Sequence, residues 1–175
     1  MKKIFLTSII LSLLFSCDVL EEDPKTVLPP DGYYDTKTGI ETLVNACYAR
    51  LRSFTASSTN LLQLTEQGTD IFEAGVDGDV NFDTYSISLT AGQITSVWEN
   101  CYIGINACNN VMYYIHSVPD MSESEKKVRE AEARFLRAYM YYHLTMQFGD
   151  VHLSLEPTVG VQTEANRTPV SQILD

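Results

Sequence analysis

The 175-residue sequence contains no run of 18 or more apolar residues, so no segment reads as a membrane-spanning helix. Basic residues are scarce: 12 Lys plus Arg stand against 23 Asp plus Glu, a formal net charge of −11. That balance repels phosphate backbones and excludes nucleic-acid binding through a basic surface. The 4 cysteines include no Cys-x-x-Cys pair, which removes zinc knuckles and thioredoxin-like redox sites. The 3 histidines form no His-Glu-x-x-His motif, and neither a Gly-x-Ser-x-Gly elbow nor a phosphate-cradling glycine loop occurs. Without these constellations the chain reads as non-enzymatic, with no cofactor or metal expected. Hydrophobic residues at 45% and charged residues at 20% are ordinary values for one packed domain.

Lys2 and Lys3 open the chain and precede the apolar stretch 4–15. As a helix this stretch is about 18 Å long, against a hydrocarbon core of about 30 Å. It therefore reads as the h-region of a signal peptide covering residues 1–16. The stretch ends in Leu14-Phe-Ser-Cys17, which resembles a bacterial lipobox. That resemblance implies thioether-linked diacylglycerol on Cys17, cleavage before it, and acylation of the freed amine. Several acyl chains anchor a protein stably where one does not. Removing residues 1–16 takes away two lysines and carries the charge from −11 to −13. The acidic residues after Cys17 resemble the surface-export signal of some Gram-negative lipoproteins and make residues 17–36 a lipidated acidic tether. Cys47, Cys101 and Cys108 are expected to be buried thiols, because an unpaired cysteine packs as a small hydrophobe.

Periodicity predicts a mainly α fold. Ile40, Leu43, Val44, Cys47, Tyr48 and Leu51 make one helical stripe, and Ile94, Val97, Trp98, Cys101, Tyr102, Ile105, Cys108 and Met112 make a second. A third helix begins at a capping box, Ser122-Glu-Ser-Glu125, and stops at Gly149-Asp150. Its stripe is Val128, Ala131, Phe135, Ala138, Tyr139 and Tyr142, with Leu136, Met140 and Leu144 broadening the apolar face. A shorter helix is expected over 59–71, a loop or short hairpin over 73–92, and irregular chain over 151–170.

The segment Ala133-Arg-Phe-Leu-Arg-Ala-Tyr-Met-Tyr-Tyr-His-Leu-Thr-Met-Gln-Phe-Gly-Asp-Val151 closely resembles the helix signature of SusD/RagB-type nutrient-binding outer-membrane lipoproteins. Tyr48-Ala-Arg-Leu51, Thr69-Asp70, Trp98-Glu-Asn-Cys-Tyr102, Ile105-Asn-Ala-Cys-Asn109 and Arg167-Thr-Pro-Val170 follow the same family's order. His152 stands where that family usually carries proline. The resemblance implies tetratricopeptide-like helix pairs with long irregular loops. Family members are much longer, so residues 37–175 are expected to form a truncated N-terminal helical domain, an incomplete solenoid. It further implies a surface-exposed, lipid-anchored outer-membrane protein. Such a protein captures oligosaccharides or other nutrients for a TonB-dependent SusC-like transporter and does not cleave them. A helical scaffold for protein–protein interaction that touches no sugar is the alternative, and a lipid-anchored hydrolase lacking its catalytic half is a third reading.

Sugar rings stack on flat side chains, and their hydroxyls seek carboxylates and amides. Loops on rigid scaffolds carry such contacts, which nominates Phe72, Phe82 and Tyr85 with Asp79, Asn81 and Asp83. Trp98 belongs to the second apolar stripe, so it either packs in the core or faces ligand. Residues 77–83 place oxygen ligands at alternate positions, as a calcium loop does. Phe82 and Ser88 occupy the positions where the helix-loop-helix form needs glycine and glutamate, so a polar surface loop is the reading taken. Glu66, Asp70 and Glu73 read as a solvated acidic face rather than a catalytic carboxylate pair. Arg134 is expected to pair along its helix with Glu130. An incomplete scaffold offering one mobile loop is expected to bind glycans weakly by itself.

Overall fold

The computed structural model describes residues 32–55, 61–76 and 78–175. Cys17, the signal segment, most of the 17–36 tether and Asp77 lie outside these residues. The elements in order are α1 (Lys37–Thr55), α2 (Leu61–Thr65), α3 (Gly92–Tyr114), a 3-10 turn over Ile115–Ser117, α4 (Glu123–Phe148) and α5 (Val170–Ile173). Among the described residues there is no strand, only isolated bridges between Thr69 and Phe72 and between Val151 and Thr168. The fold is mainly α, and no described helix is long and apolar enough to cross a membrane.

Local chemistry sets the helix ends. Thr36 Oγ1 accepts the Gly39 N–H at 3.1 Å, closing the first turn of α1. A Cβ at Gly39 would run into the Tyr33 carbonyl oxygen, so only glycine fits beneath that turn. The capping box of α4 forms as expected: Ser122 Oγ accepts the Glu125 N–H at 3.3 Å, and Glu125 Oε2 accepts the Ser122 N–H at 2.9 Å. Lys37 from α1 also pairs with Glu125 at 2.7 Å, and its ammonium holds the Glu125 carboxyl down at about 2. Gly149 ends α4 with φ 69°, its N–H donating to the Thr145 carbonyl at 2.9 Å.

α3 is the central helix and packs against both α1 and α4. The contacts Lys37–Glu125 and Arg50–Asn100 show that α1 and α4 run in the same direction, with α3 antiparallel to both. One buried cluster joins Ile40, Leu43, Val44 and Cys47 of α1 to Cys108 and Val111 of α3 and Leu136 of α4. A second joins Leu61, Val97, Cys101, Ile105, Met140, Tyr141, Leu144 and Val151. Cys47, Cys101 and Cys108 are buried thiols, with Cys101 pushed up to about 12 by burial alone.

Three expectations change. α4 buries Ala133, Leu136, Met140, Tyr141 and Leu144, whereas Phe135 is 67% exposed and Val128 and Tyr142 also face outward. From Phe135 onward the helix is apolar around most of its circumference, and periodicity alone does not say which side meets a neighbour. The short helix expected over 59–71 is observed as Leu61–Thr65; Gly68, at φ 82°, turns the chain so that its N–H meets the Phe72 carbonyl at 3.0 Å. Glu66, Asp70 and Glu73 consequently lie beyond the helix and share no helical face.

Candidate functional site

Asn106, Asn109 and Asn110 interrupt the apolar run of α3. Asn109 is 1% exposed, and its Nδ2 donates to the carbonyls of Ser154 at 3.1 Å and Glu156 at 2.9 Å. Its Oδ1 accepts from Arg137 Nη1 at 2.8 Å, and the same guanidinium reaches the Leu155 carbonyl at 3.3 Å. Tyr141 Oη donates to the Ser154 carbonyl at 3.0 Å and accepts the Ser154 N–H at 2.7 Å. Tyr102 Oη donates to the His152 carbonyl at 2.7 Å, and Asn106 Oδ1 accepts the Thr158 N–H at 2.8 Å. Irregular backbone packed against helices has no ladder to supply its partners, and side chains of α3 and α4 supply them here. The base of this segment is closed by the Thr168 N–H on the Val151 carbonyl at 2.8 Å and the Val170 N–H on Asp150 Oδ1 at 3.0 Å.

The clasp leaves a cleft of about 360 Å³ between α3 and residues 152–165, with Tyr102, Asn106, His152, Glu156, Thr158, Gln162 and Glu164 among its lining. Burial raises the Tyr102 phenol, with nearby Tyr141 adding to the effect, so Tyr102 stays a neutral donor. No lysine or arginine among the described residues lines the cleft. Carboxylates, amides and a phenol ring together match a neutral, hydroxyl-rich ligand better than an anion.

The residues nominated from sequence lie elsewhere. Phe82 is 2% exposed and fills the underside of its loop, so it presents no face for stacking. Phe72 is half-buried, and the Gly68 N–H binds its carbonyl. Asp83 accepts the Ala74 N–H at 3.0 Å, and Asp79 Oδ1 accepts Asn81 Nδ2 at 2.6 Å. Tyr85 is exposed with φ 54°, its hydroxyl donating to the Gly68 carbonyl at 2.7 Å. Trp98 is 38% exposed, stacking at a tilt on Tyr102 (4.9 Å) and edge-on with Phe148 (5.1 Å). It backs the cleft tyrosine and is neither core nor lining. No group of three or more metal-ligating side chains exists among the described residues. The missed residues had a signal: polar side chains on an otherwise apolar helical stripe, at Asn106 and Asn109.

A SusD-like family, described as starch-binding and associating with the outer membrane, matches residues 19–175. The chain belongs to the SusD-like family. SusD-like protein P2 of Formosa agariphila is 32% identical across 86% of this chain, and SusD-like protein P25 of the same organism is 26% identical across 84%. The SusD-like chain spans 31% of the length of each of these relatives. Among solved structures, B. fragilis NanU aligns with a TM-score of 0.69 at 24% identity, covering 87% of this chain and 31% of that one. Surface glycan-binding protein A from Bacteroides uniformis aligns with a TM-score of 0.62 at 24% identity, covering 78% and 31%. A SusD superfamily protein from Parabacteroides distasonis aligns at 0.65, also at 24% identity and over the same shares. These likenesses establish the SusD-like helical fold.

Proposed function

We propose that this SusD-like chain belongs to a surface glycan-binding lipoprotein that holds oligosaccharides without cleaving them and passes them to a TonB-dependent SusC-like transporter. The observation that carries the binding step is the polar cleft clasped between α3 and residues 152–165. Glu156 and Glu164 accept hydroxyl protons, Asn106 and Gln162 provide amides, and Tyr102 offers an aromatic surface. Helix-borne side chains fix the segment in advance, so less conformational entropy is lost on binding. The family's description as starch-binding supports this reading, as does the fold shared with a surface glycan-binding protein. Exposed Asn81 and Tyr85 remain available to a longer ligand, but the cleft supplies the principal contacts. Calorimetry with neutral oligosaccharides should give weak, saturable binding, with dissociation constants near the millimolar range, roughly −4 kcal/mol. Asn106→Ala should weaken it further; an unchanged isotherm for that variant would remove the cleft from the proposal.

The address is part of the same reading: residues 1–16 are cleaved, Cys17 is acylated, and residues 17–36 tether the domain to the outer membrane. The Leu14-Phe-Ser-Cys17 site and the family's association with the outer membrane support it. Cys17→Ala should move the protein to the soluble fraction while Cys47→Ala leaves it membrane-bound; membrane retention of the Cys17 variant would refute the anchor. Co-isolation with a transporter barrel tests the partner. The exposed stripe of Val128, Phe135, Tyr142 and Met146 on α4 favours a second reading, a scaffold that docks protein. Transfer of a soluble partner to Phe135→Ser without loss would count against that reading.

A further inference from the structure

Beside the clasped segment lies a second cavity, of about 410 Å³, which unlike the cleft is lined by arginine. Arg134, Arg137, His116 and Tyr113 line it, together with Asn109 and Glu156. In a chain of net charge −11, two guanidiniums facing one cavity against the single carboxylate of Glu156 are a local concentration of positive charge. Arg137 is half-buried, and burial lowers its pKa, the mark of a cation partly stripped of water. Its hydrogen-bond partners are neutral, the Asn109 amide oxygen at 2.8 Å and the Leu155 carbonyl at 3.3 Å. Among the described residues no carboxylate pairs with it within 4.0 Å. A guanidinium has five N–H donors, and these two contacts use one nitrogen. Arg134, one turn earlier, gives Nε and Nη2 to Glu130 Oε1 at 3.0 and 2.7 Å, leaving Nη1 on the same wall.

We propose that this cavity binds the carboxylate of an acidic sugar unit. The inference rests on the glycan-binding reading above and adds the class of glycan. A planar carboxylate matches the guanidinium fork, and its charge recovers electrostatic energy that Arg137 lost on burial. Tyr113, 63% exposed, meets Tyr114 edge-on at 5.0 Å and supplies an aromatic surface for the ring of the same sugar. Glu156 lines both cavities, so it is the resident charge that an incoming carboxylate must tolerate or displace. An oligosaccharide with neutral and acidic units would find a complementary surface in each of the two cavities that share Glu156.

The test is calorimetry on the intact protein with an oligogalacturonide, its fully methyl-esterified form, and a sulfated oligosaccharide of equal length. The free acid should bind about tenfold more tightly than the ester, and the preference should shrink as salt rises. Arg134→Gln should remove about fivefold of the acid's affinity and leave the ester unchanged, whereas Glu156→Gln should strengthen acid binding. Arg137 is left intact because it also holds the clasp. Equal affinity for acid and ester, or an Arg134→Gln variant that keeps the acid preference, would overturn the carboxylate site while leaving the neutral cleft standing. Tighter binding of the sulfated probe than of the uronate would reassign the site to sulfate esters. Absence of binding by every probe would bring down the glycan reading itself.

Discussion

The two long irregular segments of the molecule are held in different ways. Residues 66–86 are tied to one another: Asp83 to the Ala74 N–H, Tyr85 to the Gly68 carbonyl, and Gln67 Nε2 to the Asp79 carbonyl at 2.7 Å. Residues 152–158 are tied to helices, through Tyr102, Asn106 and Asn109 of α3 and Arg137 and Tyr141 of α4. Both segments are rich in polar residues, and the second lines a cavity with converging groups. A loop that engages its own carboxylates has fewer of them to offer a ligand. A loop gripped by a scaffold can direct its side chains into a fixed space.

Breaking the grip should have the largest effect. Asn109→Leu keeps the volume but removes one donor each from the Ser154 and Glu156 carbonyls and the amide acceptor of Arg137, while Tyr141 still reaches Ser154 and Arg137 still reaches the Leu155 carbonyl. Each lost hydrogen bond costs about 1 kcal/mol, more where the partner is charged, so a loss of about 3 kcal/mol is expected in urea unfolding. Hydrogen exchange at Ser154 and Thr158 should quicken, and binding at the cleft should vanish. A variant less than about 1 kcal/mol destabilised, with exchange unaltered, would show that the clasp does not organise the segment.

Much of this architecture was legible in the sequence. The capping box at Ser122 and the stop at Gly149 are local chemistry, and they formed as read. The stripe of α1 and the Ile94-to-Met112 stripe of α3 follow helical period and met their neighbours, except at the exposed Tyr48 and Trp98. For α4 the residues expected to broaden the apolar face, Leu136, Met140 and Leu144, are the ones buried, while Val128, Phe135 and Tyr142 of the stripe face outward. Leu136 is fully buried and Phe135 largely exposed, one residue apart on a helix that is apolar on both sides. The site was less legible, for a physical reason. Asn109, Arg137 and Tyr141 act on backbone carbonyls many residues away in the chain, and a carbonyl has no letter in the sequence. Aromatics beside carboxylates in 72–85 carry a strong local signal, yet the structure uses Phe82 as filling and Asp83 as a brace.

A smaller effect is expected from cutting the brace of the self-tied loop. Asp83 accepts the Ala74 N–H through both carboxylate oxygens, at 3.2 and 3.0 Å, in a half-buried setting. Asp83→Ala should cost about 1 kcal/mol, the range for a hydrogen bond to a charged acceptor that water partly replaces. The change should stay local: faster exchange at Ala74, no change at Ser154, and neutral-glycan binding within twofold of the parent. Loss of glycan binding with the fold intact would return the site to the 72–85 loop and invert the comparison.

The smallest effect is expected at Tyr85, where two contributions oppose each other. Its φ of 54° is a left-handed conformation that costs a bulky residue about 1 kcal/mol or more, while its hydroxyl bond to the Gly68 carbonyl recovers some of that. Tyr85→Phe keeps the strained backbone and deletes the bond, so it should destabilise by about 0.5 kcal/mol. Tyr85→Gly deletes the bond and the strain together, but it also raises the entropy of the unfolded chain, by about 0.5–1 kcal/mol. The glycine variant should therefore melt within about 4 °C of the parent, the upper shift that about 1 kcal/mol produces in a domain of this size. Were Tyr85→Gly far less stable than Tyr85→Phe, the exposed ring would be contributing packing beyond its hydroxyl bond, and the self-tied loop would depend on its aromatic as much as on its carboxylates.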